Sequence, residues 1–294
     1  MRKLKHYQPF LSLVLRMIVK ETRFRCRPGL GEILTENPRL VVALSHGAPL
    51  SWLPAIALLT SQVATRGGGD RLPMGVLDHF FFQVPIMREL ARYLSQSERS
   101  LSYAELADRF ETREDIDLVL FPEGSNCFFG PSDQIQELRS VKFIELSVRT
   151  GAPILLGVHS GSERWAKSIS VSPASLAHLD KLPKFVSEFL ERRIRQSGIF
   201  TVPLLPLPIE KFEMLCELYL PELTLDQLSE NLQEKKEQLR LEGERMRNQM
   251  IKMLEELKGA NVAKVAAQTE PSSPSVKKKS QHKISSQRDS GEIV

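Results

Sequence analysis

Three short apolar runs, each stopped by a polar or glycine-containing loop, constrain this chain more than any other feature. Residues 39–45 (RLVVALS) end at His46-Gly47, 117–121 (DLVLF) at Pro122-Glu123-Gly124, and 152–158 (APILLGV) at His159-Ser160-Gly161. Near-continuous apolar runs of this length belong to strands buried on both faces, as in a parallel sheet covered by helices. Stretches of helical pattern lie between and after them, at 52–61, 86–94, 103–110 and 135–149. The alternation predicts an α/β layered domain with a mostly parallel sheet covered by helices, over residues 28–220. In such sheets ligands sit at the carboxyl ends of the strands, so His46, Glu123 and His159 are expected near one rim.

The two ends differ from this body. Residues 1–27 hold eight Lys/Arg against Glu21 alone, and 271–294 hold five against Asp289 and Glu292. Because the whole chain carries a formal net charge of only +4, the body between them is acidic. An acidic body argues against nucleic-acid binding, which needs a basic surface built into the fold. The basic N-terminal segment 1–27 fits an anionic membrane surface instead. Within it Gln8, Ser12, Arg16 and Lys20 form a narrow polar stripe in an otherwise apolar helix pattern. Such a helix either lies on a bilayer or packs on the domain. No apolar run reaches the ~18 residues that span a membrane, so the expected location is peripheral, on the cytoplasmic side of a membrane. Three cysteines without a CxxC pair argue against a disulfide scaffold, and six histidines without ligand spacing imply no metal.

Beyond Pro221 the composition turns charged. Thr224 and Gln227 are spaced as a capping box and Lys258-Gly259 as a stop, which predicts a long charged helix over 224–258, about 50 Å in length. Leu225, Leu232, Leu239, Met246 and Met253 recur every seven residues, but only Leu228 is apolar among the matching second positions of the heptads. The pattern leaves two outcomes, one edge packed on the domain or weak self-association through 225–258. Residues 260–294 are rich in Ser, Pro and Lys, and are expected to form a disordered basic tail.

Two of the loops carry chemistry. A histidine just past a buried strand stands where substrate reaches it, or caps the next helix. A carboxylate beside Gly124 accepts hydrogen bonds from a polyol or binds an ammonium, or serves as a turn carboxylate. Other patterns fall short. In Gly157-Val158-His159-Ser160-Gly161 the serine comes one place late for a nucleophile elbow, and Gly67-Gly68-Gly69 lacks the Lys-Ser/Thr of a phosphate loop.

Together with the stretches around them, these motifs resemble the glycerolipid and lysophospholipid acyltransferase superfamily (1-acylglycerol-3-phosphate acyltransferase-like). His46 matches the histidine of its first block and Phe121-Pro122-Glu123-Gly124 its third. Gly151-Ala152-Pro153-Ile154-Leu155 resembles its fourth, and 74–94, with Phe82, Pro85 and Arg88, looks like its second. The resemblance covers roughly residues 20–220, and the spaced set is specific where each block alone is not. Two positions depart from the pattern. Ser51 stands where the family has the aspartate partner of the histidine, and Ser125-Asn126 stands where Thr-Arg often follows, removing the arginine implied for acceptor phosphate.

The resemblance implies an O-acyltransferase that moves a fatty acyl group to a hydroxyl of a glycerolipid, lysophospholipid or other lipid alcohol. Its co-substrate is acyl-CoA or an acyl carrier protein thioester, its partners are membrane lipids, and it has no bound cofactor. His46 is then the general base and Ser51 the residue that orients it by a hydrogen bond. Glu123, Gly124, Ser125, Asn126 and Arg88 are then acceptor-binding. A serine cannot neutralise an imidazolium, so Asp78, Glu123 or Glu163 is expected to supply the charge, or the protein is slow. The acceptor is implied to be a neutral alcohol, or a phosphate held by Arg66, Arg71, Arg88 or Arg92. The alternative on the same residues is a catalytically inactive, membrane-associated lipid-binding or scaffold protein.

Overall fold

The computed structural model describes residues 1–83, 85–172, 184–204 and 208–269. The three apolar runs form the middle of its main sheet as β2 (Val41–Leu44), β4 (Ile116–Leu120) and β5 (Ile154–Ser160). They lie parallel, with β2 between the other two and Val42 opposite both Val119 and Leu155. In that register their outgoing loops meet at one rim. β3 (Leu72–Gly75) adds a parallel strand beside β4, β8 (Ile209–Tyr219) runs antiparallel to β5, and β1 (Val19–Arg27) pairs in parallel with β8. The order is β1-β8-β5-β2-β4-β3. A separate antiparallel pair joins β6 (Ala166–Ser170) to β7 (Ile199–Pro203).

Helices cover both faces, as the buried runs require. On one side α1 (Leu4–Ile18), α2 (Leu30–Glu36) and α3 (Trp52–Thr65) close a core around Ile33, Leu58 and Phe212. Along the chain follow α4 (His79–Gln83) and α5 (Pro85–Ser95). On the other face α6 (Tyr103–Thr112), α7 (Lys142–Thr150) and α9 (Leu232–Thr269) pack around Phe110, Leu146 and Met250. The remaining helix, α8 (Lys184–Ser197), precedes β7. Each fully buried Leu, Ile, Phe or Met side chain in these cores contributes on the order of 1.5–3 kcal/mol.

Three sequence expectations need correction here. The long helix begins at Leu232, not at Thr224. Thr224 and Gln227 do bond each other, with the Thr224 N–H donating to Gln227 Oε1 at 3.1 Å, but they close only a turn. Asn231 is the working cap, its Oδ1 accepting from the N–H groups of Gln233 (2.9 Å) and Glu234 (3.3 Å). The helix then runs through Gly259 to Thr269, so 260–269 is helical and not part of a disordered tail. A glycine inside a helix costs about 1 kcal/mol against alanine, and the alanines that follow are the strongest helix formers. The rest of that expected tail, 270–294, lies outside the described residues.

The heptad positions Leu239, Met246 and Met253 are buried in the molecule's own core, while Leu225 and Leu232 are exposed. The buried apolar edge of α9 packs against β5 and β8.

Residues 1–27 divide between α1 and β1. Leu4, Tyr7, Leu11 and Leu15 pack α1 onto the domain, chiefly onto α3, whereas Phe10, Leu13 and Met17 face outward at 58, 58 and 71% exposure. The strand was hidden by its own charges. Arg25 pairs with Glu256 (3.1 Å), Arg27 with Glu217 (2.6 Å) and Lys20 with Glu210 (2.7 Å). Lys3 and Lys5 both pair with Asp70. Much of the N-terminal positive charge is thus answered by the acidic body, in exposed pairs that solvent screens. No helix among the described residues is long and apolar enough to cross a membrane.

Candidate active site

The chain leaves β2 through a loop held on three sides. The Ser45 N–H donates to the Gly157 carbonyl (2.7 Å), extending the pairing with β5, and the His46 N–H donates to Glu123 Oε1 (2.8 Å). Gly47 turns the chain at φ +60°, and a Cβ there would lie 2.9 Å from His159 Cε1, so only glycine fits. The His46 ring leans on Phe121, with centroids 5.1 Å apart. Burial pushes its pKa down to about 4, and the nearby His159 ring adds in the same direction. The imidazole is therefore neutral at pH 7 and a weak base.

Ser51 is fully buried at the start of α3. The hydrogen bond expected between its hydroxyl and His46 is not made. His46 Nδ1 and Ser51 Oγ are both buried without a hydrogen-bond partner among the described residues. Nor do the acids proposed to supply charge bond the ring. Asp78 is ion-paired with Arg139, Glu163 accepts the Gly161 N–H, and Glu123 is bonded to main chain.

Glu123 is the most constrained group of the site. It has no exposure, and its two oxygens take the His46 N–H and the Gln136 N–H, each at 2.8 Å. Burial raises its pKa to about 7, against those two donors and the charge of Arg247, which lower it. In these bonds the carboxylate staples three loops together. Its second donor comes from a segment expected to be helical over 135–149, of which only Lys142–Thr150 is helix. Arg247 of α9 holds that segment out of a helix by donating to the carbonyls of Ile135 (2.8 Å) and Gln136 (2.9 Å).

The rest of the third block is close by. Gly124, at φ +52°, lets the Arg139 side chain pack across it, since a Cβ would sit 3.0 Å from Arg139 Cδ. Ser125 Oγ is buried without a partner among the described residues, and Asn126 Nδ2 donates to the Glu137 carbonyl (2.9 Å). Arg88 is not brought into this group by any described contact. It lies exposed on α5 and pairs with Glu89 (3.5 Å). The other cations weighed for a phosphate are committed elsewhere. Arg71 is locked on Asp117 and the Leu34 and Asn37 carbonyls, Arg66 lies over the Phe24 ring, and Arg92 bridges Glu89 and Glu98.

Two residues of the site escape a reading of the sequence, and so does the role of a third. Arg139 and Arg247 sit in stretches with no motif. His159 is legible as a rim residue, but not as the ring that closes over Gly47 and bonds the Ser45 carbonyl at 3.0 Å. Among the described residues no cluster of His, Cys, Asp and Glu is placed to hold a metal ion. Compared with models of known families and with curated proteins, the chain finds no match.

Proposed function

We propose that the protein is a peripheral O-acyltransferase, moving a fatty acyl group from acyl-CoA or an acyl carrier protein thioester to a hydroxyl of a glycerolipid, lysophospholipid or other lipid alcohol. The observation that carries this reading is the bond from the His46 N–H to Glu123. It ties together two of the four acyltransferase-like blocks across 77 residues, while the fourth block leads into β5 on the other side of β2. The His46 and Glu123 loops meet at the carboxyl ends of parallel strands, where ligands of such sheets usually sit, and this supports the reading.

In this reading the His46 imidazole takes the proton of the acceptor hydroxyl as that oxygen attacks the thioester carbonyl. The new ester C–O bond forms, the C–S bond breaks, and the thiolate leaves with the proton that the imidazolium returns. A base held near pKa 4, with no carboxylate to stabilise its cation, turns over slowly. The test is thiol release from long-chain acyl-CoA, and from the acyl carrier protein thioester. Acceptors are lysophospholipids, mono- and diacylglycerols and long-chain alcohols. His46→Ala is expected to lower acceptor-dependent release about 100-fold, the low end for losing a general base. Equal release by both proteins would remove His46 from the reaction.

One observation favours a second reading, a catalytically inactive lipid-binding or scaffold protein on the same fold. His46 Nδ1 and Ser51 Oγ stand unbonded among the described residues where the resemblance implies an ion pair. This reading predicts lipid binding with no thiol release from either donor.

Attachment to the cytoplasmic side of a membrane belongs to the same proposal and is supported by the outward Phe10, Leu13 and Met17 of α1. Replacing all three by serine is expected to weaken co-sedimentation with phosphatidylserine vesicles about tenfold or more, with little change in Tm. Undiminished sedimentation would place the contact elsewhere.

A further inference from the structure

The topology of the sheet brings one end of α1 to the rim that carries His46. α1 starts at the opposite end, where the Leu4 N–H donates to the Arg71 carbonyl (2.9 Å) just ahead of β3. It ends at the rim, because β1 follows directly and starts beside β8, with Val19 opposite Ile209. β8 in turn starts beside the last residues of β5, Glu213 standing opposite Ser160. The chain leaving β5 passes through Arg164, and the Leu204 N–H donates to the Trp165 carbonyl (2.9 Å). The last turn of α1, residues 161–167 and Leu204 therefore gather at one corner of the rim.

Apolar and basic side chains mix on the outside of this corner. Leu13, Arg16 and Met17 share one face of α1, and all three are exposed. Leu204 is 41% exposed, and Arg164 and Lys167 are exposed as well. Lys20 beside them is answered by Glu210, but Arg16, Arg164 and Lys167 have no carboxylate partner among the described residues. Exposed apolar tips among unanswered cations suit an anionic bilayer, whose acyl boundary takes the tips and whose phosphates take the charges. The opposite end of the sheet exposes Leu220 (67%) even more, yet its neighbours Glu222 and Asp226 are acidic and are repelled by such a surface.

We infer that this corner is a bilayer-contacting surface, in which Arg16, Arg164 and Lys167 meet the phosphates of anionic lipids while Met17 and Leu204 enter the acyl boundary. The inference rests on the membrane attachment proposed above and deepens it. A bilayer touched by α1 alone leaves the rim in water, whereas one that also takes this corner sets the rim, and with it the His46 loop, against the lipid.

The test uses the full chain with vesicles of phosphatidylserine or of phosphatidylcholine. Arg164→Gln together with Lys167→Gln is expected to weaken co-sedimentation with phosphatidylserine about 30-fold, a factor of about five for each cation, and to leave binding to phosphatidylcholine unchanged. Leu204→Ser is expected to weaken both about fivefold, and Leu220→Ser, at the far end, neither. Orientation has its own readout, since Trp52→Phe leaves Trp165, next to Arg164, as the single tryptophan of the chain. Phosphatidylserine brominated near the top of its acyl chains is expected to quench that fluorescence on binding. Sedimentation that the serines on α1 weaken and the glutamines do not, or binding that leaves Trp165 unquenched, overturns the corner and keeps the attachment through α1. A glutamine pair that binds vesicles like wild type and raises KM only for the acyl carrier protein thioester overturns it in favour of a docking site for that protein. No sedimentation of the wild-type chain overturns corner and attachment together. Vesicle binding and quenching without thiol release keep the corner and sink the transferase.

Discussion

Ser51→Asp is expected to raise acceptor-dependent thiol release by up to about 10⁴-fold, the factor a histidine base loses when its carboxylate partner is made neutral. Position 51 is fully buried, and a Cβ built at Gly47, the residue after His46, would be 3.6 Å from Ser51 Cβ. Ser51 Oγ and His46 Nδ1 are the two unmatched atoms of this loop among the described residues. An aspartate there gives Nδ1 a charged acceptor and stabilises the imidazolium that proton abstraction creates. It also sits at the start of α3, where the helix dipole favours a negative charge by about 0.3–1 kcal/mol. Against this stands the cost of a buried carboxylate, several kcal/mol unless the ion pair forms with good geometry. Formation of the pair has its own signature. The acid limb of the kcat/KM profile, set near pH 4 by the buried imidazole, moves toward the ordinary 6.5. Ser51→Asn, with the same shape and no charge, is expected to give neither effect. A Ser51→Asp protein no faster than wild type would show that the missing charge does not limit the rate.

What the sequence made legible here was local and periodic. The three strand runs announce themselves because burial on both faces leaves few polar residues in them, Asp117 being kept by its pairing with Arg71, and their parallel order puts His46, Glu123 and His159 on one rim. Glu123 was legible as a position and not as a role. Whether its oxygens face a ligand or main chain depends on the N–H of Gln136, and that segment is kept out of a helix by Arg247, 111 residues further on. Hydrogen bonds over such distances leave no periodic trace. β1 was missed for a related reason. Its arginines read as a free basic cluster until the glutamates of β8 and α9 are seen opposite them. Arg88 was singled out by its place in a block, whereas the cation packed on Gly124 is Arg139, from a loop with no motif. The substitution at Ser51 was visible at once. That it leaves two unmatched atoms, instead of a weaker hydrogen bond, follows from how the loop and α3 pack and has no trace in the motif.

Acidification from pH 6.5 to 4 is expected to cost the fold about 3 kcal/mol, and Glu123→Gln is expected to make that loss about twice as steep between pH 6.5 and 4.5. Burial holds both His46 and His159 near pKa 4, against an ordinary 6.5. The unfolded chain therefore takes up these protons first, so their contribution is fully present above pH 6.5 and is lost as pH falls toward 4. Each histidine carries about 3 kcal/mol, with the half-buried His46 the smaller share. Glu123 works in the opposite sense. Its pKa is raised from 4.5 to about 7, so the folded protein takes up that proton first, and stability is gained as pH falls through the same window. One carboxyl thus offsets one of the two imidazoles. Glutamine removes the offset and leaves both histidines unopposed, yet near pH 8 it keeps one acceptor and relieves a buried charge, so its stability there stays close to wild type. Glu123→Ala has no such compensation. It strands the N–H groups of His46 and Gln136 and is expected to lose about 2–5 kcal/mol at every pH. Urea midpoints between pH 4.5 and 8, at constant m, measure all three proteins. Parallel curves for wild type and Glu123→Gln would mean that Glu123 stays ionised throughout, and that its two backbone donors outweigh its burial.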